Sequence, residues 1–393
     1  TVSITINGIL YNRTTDGNGT FKMNINLDPN VYNFTVAYNG SDIYDKLSKN
    51  ITVTVNPTIL ANDTVLMYMD GTVFVAKFLD KTGKALTNAS VKFNINGVFY
   101  TRITDNDGVA KLNIRLRPGS YILTAYNNVT GEEKGFDITV KSLIVANDLT
   151  KYYLNATRFE ATIYNKNGTL AINKNVTFNI NGVFYTRQTN ENGVARLNIN
   201  LRPGDYILTA YNPVNGEQKG FNITVKSLIV QNDLTKYYLN ASRFQATIYN
   251  KDGSLAVNKN VTFNINGVFY IRTTDSNGVV SLAINLRPGD YIITTIFDGL
   301  DIGNKVTVLP TLVTKDLNMK YMDGSNFTAQ TLDSQGKALA NQTVSFNVNG
   351  VFYHRITNED GIASLRIRLM SGEYIITSYW NNFQTGNTIK ISP

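Results

Sequence analysis

The chain has 393 residues, no cysteine, one histidine and a formal net charge of +8. The missing cysteines exclude disulfides, thiolate metal sites and cysteine nucleophiles together. The charge is scattered one or two residues at a time rather than gathered with aromatics on one face, so no nucleic-acid footprint is present, and no run of about 18 apolar residues offers a helical membrane span.

Residues 1–57 read as short alternating strands at Ser3–Ile6, Ile9–Thr14, Phe21–Leu27, Tyr32–Tyr38 and Asn50–Val55. They match only the later strands of the copies that follow, so they predict a partial domain lacking its first two strands. Either those strands lie upstream in a longer protein, or a neighbouring subunit donates them and the chain builds a filament. Ile389–Pro393 belongs to its own last strand and leaves no free donor.

The following residues divide by repetition into 58–142, 143–227, 228–310 and 311–393. Phe93, Phe178, Phe263 and Phe346 precede the same Asn-Gly-Val-Phe-Tyr phrase at intervals of 85, 85 and 83 residues. That period is a small domain, well beyond a solenoid unit of about 20–50 residues. The third copy predicts seven strands: Leu149–Leu154, Phe159–Asn165, Asn175–Ile180, Val183–Thr189, Ala195–Leu201, Tyr206–Tyr211 and Phe221–Val225. In its first hairpin Asn181-Gly182 supplies the two positive-φ residues of a type I′ turn. This turn pairs Ile180 with Val183 and Phe178 with Tyr185 on the core face, and Asn179 with Phe184 on the other.

Leu201-Arg-Pro-Gly-Asp-Tyr206 then breaks one ladder and opens the next. Its tyrosine is expected to be largely buried at a tyrosine corner of an immunoglobulin-like sandwich, or to be an ordinary core residue. Tyr32, Tyr121, Tyr291 and Tyr374 hold the same place. The fold predicted is all-β: tandem immunoglobulin-like sandwiches of fibronectin-III-like order. Junctions such as Val140–Val145 contain no Gly/Ser spacer, which predicts an elongated, stiff rod.

Of 52 asparagines, sixteen open Asn-x-Ser/Thr. Candidate glycosylation acceptors include Asn33, Asn155, Asn175, Asn222, Asn240, Asn260 and Asn341. Alternation points Asn175, Asn222 and Asn260 away from the core; asparagine and threonine dressing outer strand faces would also produce such sequons by chance.

Chemistry is sparse. His354 has no counterpart in the other copies, so it cannot belong to a repeated relay. Asp105-Asn-Asp-Gly108 resembles an acidic calcium loop, but the equivalents Asn190–Gly193 and Asn358–Gly361 lack its first carboxylate, which favours a turn. Lys151 and Lys236 are candidates for an internal isopeptide bond, yet Leu66 and Met319 replace them elsewhere. Asp63, Asp148, Asp233 and Asp316 recur where each repeat begins and are expected to bind backbone. The expectation is a protein with no catalytic residue, no metal and no cofactor. One feature leans toward recognition: Phe99, Phe184, Phe269 and Phe352 fall opposite the core once per repeat, where they stack on a sugar or partner protein, or pack under neighbours.

Asn-Asp-Leu-Thr-Lys-Tyr-Tyr, Phe-Asn-Ile-Asn-Gly-Val-Phe-Tyr-x-Arg-x-Thr, Asn-Gly-Val-Ala-x-Leu-Asn-Ile-x-Leu and Pro-Gly-x-Tyr-Ile together resemble the repeats of adhesin-like surface proteins of methanogenic archaea. This resemblance covers essentially the whole chain. It implies an exported, extracellular protein at the cell surface, serving as a stalk for adhesion or display. The partners implied are a cell-surface or wall glycan, or another cell's surface protein. A carbohydrate-binding array and a filament subunit are the alternatives, and the resemblance supplies no active-site residue.

Overall fold

The computed structural model describes residues 1–393, and every regular element in it is a β-strand. The chain divides into two units, one of Thr1–Asp148, Arg158–Leu197 and Ile207–Asn222, the other of Leu149–Thr157, Asn198–Tyr206 and Ile223–Pro393.

In the first unit, residues 1–57 form one four-stranded antiparallel sheet, with Ile9–Arg13 and Leu47–Val55 at its edges. The expected strand at Phe21–Leu27 is absent. Its counterpart Val194–Leu197 pairs with Phe159–Ile163, and nothing equivalent to Phe159–Ile163 exists in residues 1–57. Without a ladder partner, alternation alone does not make a strand. Ile4, Ile6 and Phe34 are buried on this sheet, whereas Phe21 and Met23 are only half-buried and Ile25 is exposed.

The second repeat is a sandwich. Ile59–Leu60, Val73–Phe78 and Val109–Asn113 make one sheet. Thr64–Met67, Glu133–Lys141, Gly119–Tyr126, Ser90–Ile95 and Val98–Ile103 make the other, in that spatial order. The inward residues of both sheets meet in one core, with Phe74 edge-on to Phe93 at 5.8 Å. Each such ring contributes about 1.5–3 kcal/mol by leaving water.

In the second unit, the fourth and fifth repeats have the same two sheets and cores of the same kind. The strands of the third repeat fall in both units and follow the same order. The architecture is therefore a tandem of immunoglobulin-like β-sandwiches.

Each complete repeat has eight strands rather than seven: in the third, the expected first strand forms at Leu149–Tyr152, and a further short strand, Ile144–Val145, precedes it in the small sheet. In the fourth repeat Ile229–Gln231 pairs antiparallel with Arg243–Ile248 in the small sheet. The chain then crosses, and Leu234–Tyr237 pairs parallel with Leu300–Leu309 in the large one. Asp233 stands at the crossing, where Oδ1 accepts the Lys305 N–H at 2.8 Å. Asp63, Asp148 and Asp316 accept the N–H groups of Asp137, Asn222 and Thr388 in the same way.

The hairpin turns follow the asparagine-glycine chemistry, with Asn181 at φ 53° and Gly182 at φ 77°. The register is Ile180 to Val183, Phe178 to Tyr185 and Asn179 to Phe184. One side-chain placement differs from expectation: Val183 is exposed and Tyr185 only half-buried. Their strand is the edge of a five-stranded sheet facing one of three, so it extends past the layer that would cover it.

Candidate functional site

Two kinds of place recur from repeat to repeat: the outer face of the large sheet and the contact between successive repeats. On the outer face, Phe99, Phe184, Phe269 and Phe352 are 63%, 63%, 62% and 54% exposed. The edge strand fixes their direction, because the core-facing neighbour in each hairpin is a tyrosine. Three of the four rings lean on a tyrosine two strands away: Phe99 on Tyr126 at 6.0 Å, Phe184 on Tyr211 at 6.3 Å and Phe352 on Tyr379 at 5.9 Å. These tyrosines were not singled out by sequence, since their strand places them beside Phe only once the sheet order is known. Each pair leaves an apolar patch on solvent, flanked by the Asn opposite the Phe.

Between repeats, within the second unit, the segment after Leu234–Tyr237 meets a turn of the following repeat. Tyr237 lies so close over Gly336 that a Cβ there would stand 2.3 Å from the ring. Gly336 also has φ +83°, so the position suits glycine on both counts. Asn240 Nδ2 donates to Ser334 O at 2.6 Å, and Tyr238 meets Phe383 at 5.6 Å. One repeat earlier, Tyr152 covers Gly253 and stacks on Tyr249 at 5.7 Å, while Asn155 Nδ2 donates to Lys251 O at 2.7 Å. In the first unit Asn215 Nδ2 reaches Tyr68 O at 3.4 Å.

These contacts sort the candidate glycan acceptors. Asn33, Asn175, Asn260 and Asn341 are exposed. The amide nitrogens of Asn155 and Asn240 hold the next repeat, and that of Asn222 donates to Asp148 Oδ2 at 3.0 Å. A glycan on any of the last three would replace an existing hydrogen bond.

The corner tyrosines are half-buried, less than expected. Their hydroxyls donate to the carbonyl four residues back: Tyr121 to Arg117, Tyr206 to Arg202, Tyr291 to Arg287, and Tyr374 to Met370 at 2.7–3.0 Å. The hydroxyl has to reach the surface of the corner, which keeps each ring from sinking further.

The remaining candidates resolve into structural contacts. His354 Nδ1 shares a hydrogen bond with Ser345 Oγ at 2.8 Å, an exposed cross-strand pair with no carboxylate behind it. Asp105 Oδ1 accepts the N–H groups of Asp107 and Val109, and Asn190 does the same for Asn192 and Val194. No group of three or more acidic or imidazole side chains converges on a metal-sized site. Lys151 is buried, and its Nζ donates to the carbonyls of Thr157 and Ile199. Lys236 repeats this with Ser242 and Ile284. Burial holds both amines below the usual lysine range. An isopeptide bond needs a side-chain amide or carboxyl for the amine to attack, releasing ammonia or water, and both amines meet backbone carbonyls instead.

No protein-family model and no curated protein matches the chain. Among solved structures it is similar to the I9–I11 tandem of titin, at 16% identity, covering 63% of this chain and 98% of that one with a TM-score of 0.26. A calcium-stabilised adhesin of an Antarctic bacterium, which binds ice, is similar at 15% identity over 85% of this chain and 98% of its own, TM-score 0.17. Invasin, a bacterial integrin-binding protein, is similar at 16% identity over 85% and 78%, TM-score 0.21. At these TM-scores the likenesses leave function open.

Proposed function

We propose that the chain is a non-enzymatic, extracellular adhesin-like protein whose repeats serve as a spacer for cell-surface adhesion or display. The observation that carries this reading is the side-chain contact between successive repeats. Tyr152 over Gly253 and Tyr237 over Gly336 replace a flexible linker with a fitted joint. A joint of that kind resists bending, which a spacer needs and an independent enzyme domain does not. The sequons exposed at Asn33, Asn175, Asn260 and Asn341 suit an exported surface, and the motif resemblance to archaeal adhesin-like proteins points the same way. Treating intact source cells with protease tests it: the chain should be cleaved without lysis. Cleavage only after lysis would end the surface reading.

A second reading, a carbohydrate-binding array, is favoured by the Phe–Tyr pairs on the outer sheet faces. Removing repeats one at a time separates the two. Stepwise loss of glycan affinity supports the array, and unchanged affinity with shorter reach supports the spacer.

A further inference from the structure

The fifth repeat carries an arginine triplet that its siblings lack in full. Ile362–Arg366 is an edge of the small sheet, and Val351–Ile356 is an edge of the large one. The two edges face each other across an open groove of about 390 Å³. Arg366 and Arg368 alternate with the buried Leu365 and Ile367 and stand on one side; Tyr353 and Arg355 come from the other. This size falls in the range of small-ligand sites, roughly 300–1,000 Å³. By strand alternation the groove is on the opposite side from Phe352, so it is separate from the outer-face aromatics.

None of the three guanidiniums is paired with a carboxylate. Arg355 donates one N–H to the His354 carbonyl at 2.8 Å, as Arg102, Arg187 and Arg272 do to their preceding residues. Its remaining donors stay available. Three like charges around one groove repel, and a bound anion would relieve that repulsion.

The sandwich itself does not require the cluster. The positions of Arg355, Arg366 and Arg368 hold Arg187, Asn198 and Asn200 in the third repeat, and Arg272, Ala283 and Asn285 in the fourth. The second has Arg102, Asn113 and Arg115. The full triplet stands only in the fifth repeat, beside a tyrosine that is 37% exposed.

We propose that this groove binds a segment of acidic polysaccharide through its carboxylate or sulfate groups. A guanidinium presents two parallel N–H groups that match either oxyanion. The Tyr353 ring offers an apolar face to the C–H side of a sugar, which an inorganic anion does not use. The groove is open along the edges of two strands, which suits a chain entering and leaving better than a buried small molecule.

Calorimetry on the full chain tests this with polygalacturonate, heparin, neutral dextran, sodium sulfate and double-stranded DNA. Polygalacturonate binding identifies carboxylates as the recognised groups and heparin binding identifies sulfates; dextran should not bind. Arg366→Asn with Arg368→Asn installs the third repeat's own residues, so the fold should survive, which a thermal melt checks. That pair should weaken acidic-polysaccharide binding about tenfold or more, the worth of losing a charge-assisted contact. Lys77→Gln with Lys111→Gln removes the same charge elsewhere and should leave affinity within about twofold, because screened distant charges contribute little. Tyr353→Ala should weaken the polysaccharide but not sulfate. Undiminished binding by the arginine double variant overturns the proposal. So does DNA binding as tight as polysaccharide binding, or an effect of Tyr353→Ala on neither. A failure of the surface reading would leave these affinities untouched, so the two can fail separately.

Discussion

Residues 1–57 and the fourth repeat share nearly the same phrase and fold differently around it. Both fold the asparagine-glycine hairpin, Ile6 opposite Ile9 in one and Ile265 opposite Val268 in the other. Both tie a tyrosine hydroxyl to the carbonyl four residues back, Tyr32 to Asp28 and Tyr291 to Arg287, each at 2.7 Å. Yet sixteen residues are fully buried in the core of the fourth repeat and three on the sheet of residues 1–57. The hairpin and the corner are therefore local devices that form on one sheet. The core is cooperative and needs the facing layer.

The largest expected effect separates the two on the cooperative side. Phe263 is fully buried between layers, so Phe263→Ala should cost the fourth repeat about 3–5 kcal/mol, the usual range for a large aromatic in a closed core. Phe34 is buried under half-covered neighbours on a single sheet, and its replacement by Ala should cost roughly 1.5–3 kcal/mol, the transfer term alone. Hydrogen exchange read by peptide in the full chain reports each loss where it occurs. Equal losses would break the comparison.

Where sequence reading succeeded and failed follows the same division. The hairpin register, the turn at Asn181-Gly182 and the outward direction of Phe184 were legible, because two-residue turns and strand alternation are properties of a few adjacent residues. The strand at Phe21–Leu27 was misread because its alternation is intact while its partner is missing. The additional strand Ile144–Val145, in the other sheet from Leu149–Tyr152, was illegible for a similar reason. Nothing local to Asn147-Asp148 says that the aspartate will bind the N–H of Asn222, 74 residues away. The contacts at Gly253 and Gly336 were hidden too. Both glycines read as ordinary turn residues until the tyrosine of the preceding repeat is placed on them. The arginine groove needed the strand edges to be opposed before three scattered residues became one cluster.

The middle effect should not discriminate at all, and that is its use. Tyr291→Phe and Tyr32→Phe each remove one hydroxyl bond at a corner and leave the ring in place. Each should cost about 1 kcal/mol, the net worth of such a bond, in its own sheet. A loss at Tyr291 several times that at Tyr32 would show that the corner draws its strength from the second layer and is not local.

The smallest effect belongs to the crossing between sheets, which residues 1–57 do not contain. Asp233 Oδ1 accepts the Lys305 N–H and the Asn304 amide, both at 2.8 Å. These bonds, led by the Lys305 N–H and helped by its charge, hold the carboxyl below its ordinary 3.8 although burial opposes them. A depressed folded-state value means the native state binds the proton less readily than the unfolded chain does. The stabilisation is thus complete above pH 3.8 and is lost as pH falls through the lower folded value. Asp233→Asn keeps an acceptor for the Lys305 N–H but gives up the charge-assisted part of the bond. The variant should exchange faster than the parent at Leu300–Leu309 at pH 7, and the difference should shrink to nothing below the folded value. Exchange at Leu47–Val55 should be the same in both proteins at every pH, because no crossing aspartate ties that edge strand. A pH-independent gap at Leu300–Leu309 would mean that Asp233 acts through shape alone, and the charge on the crossing would then be incidental.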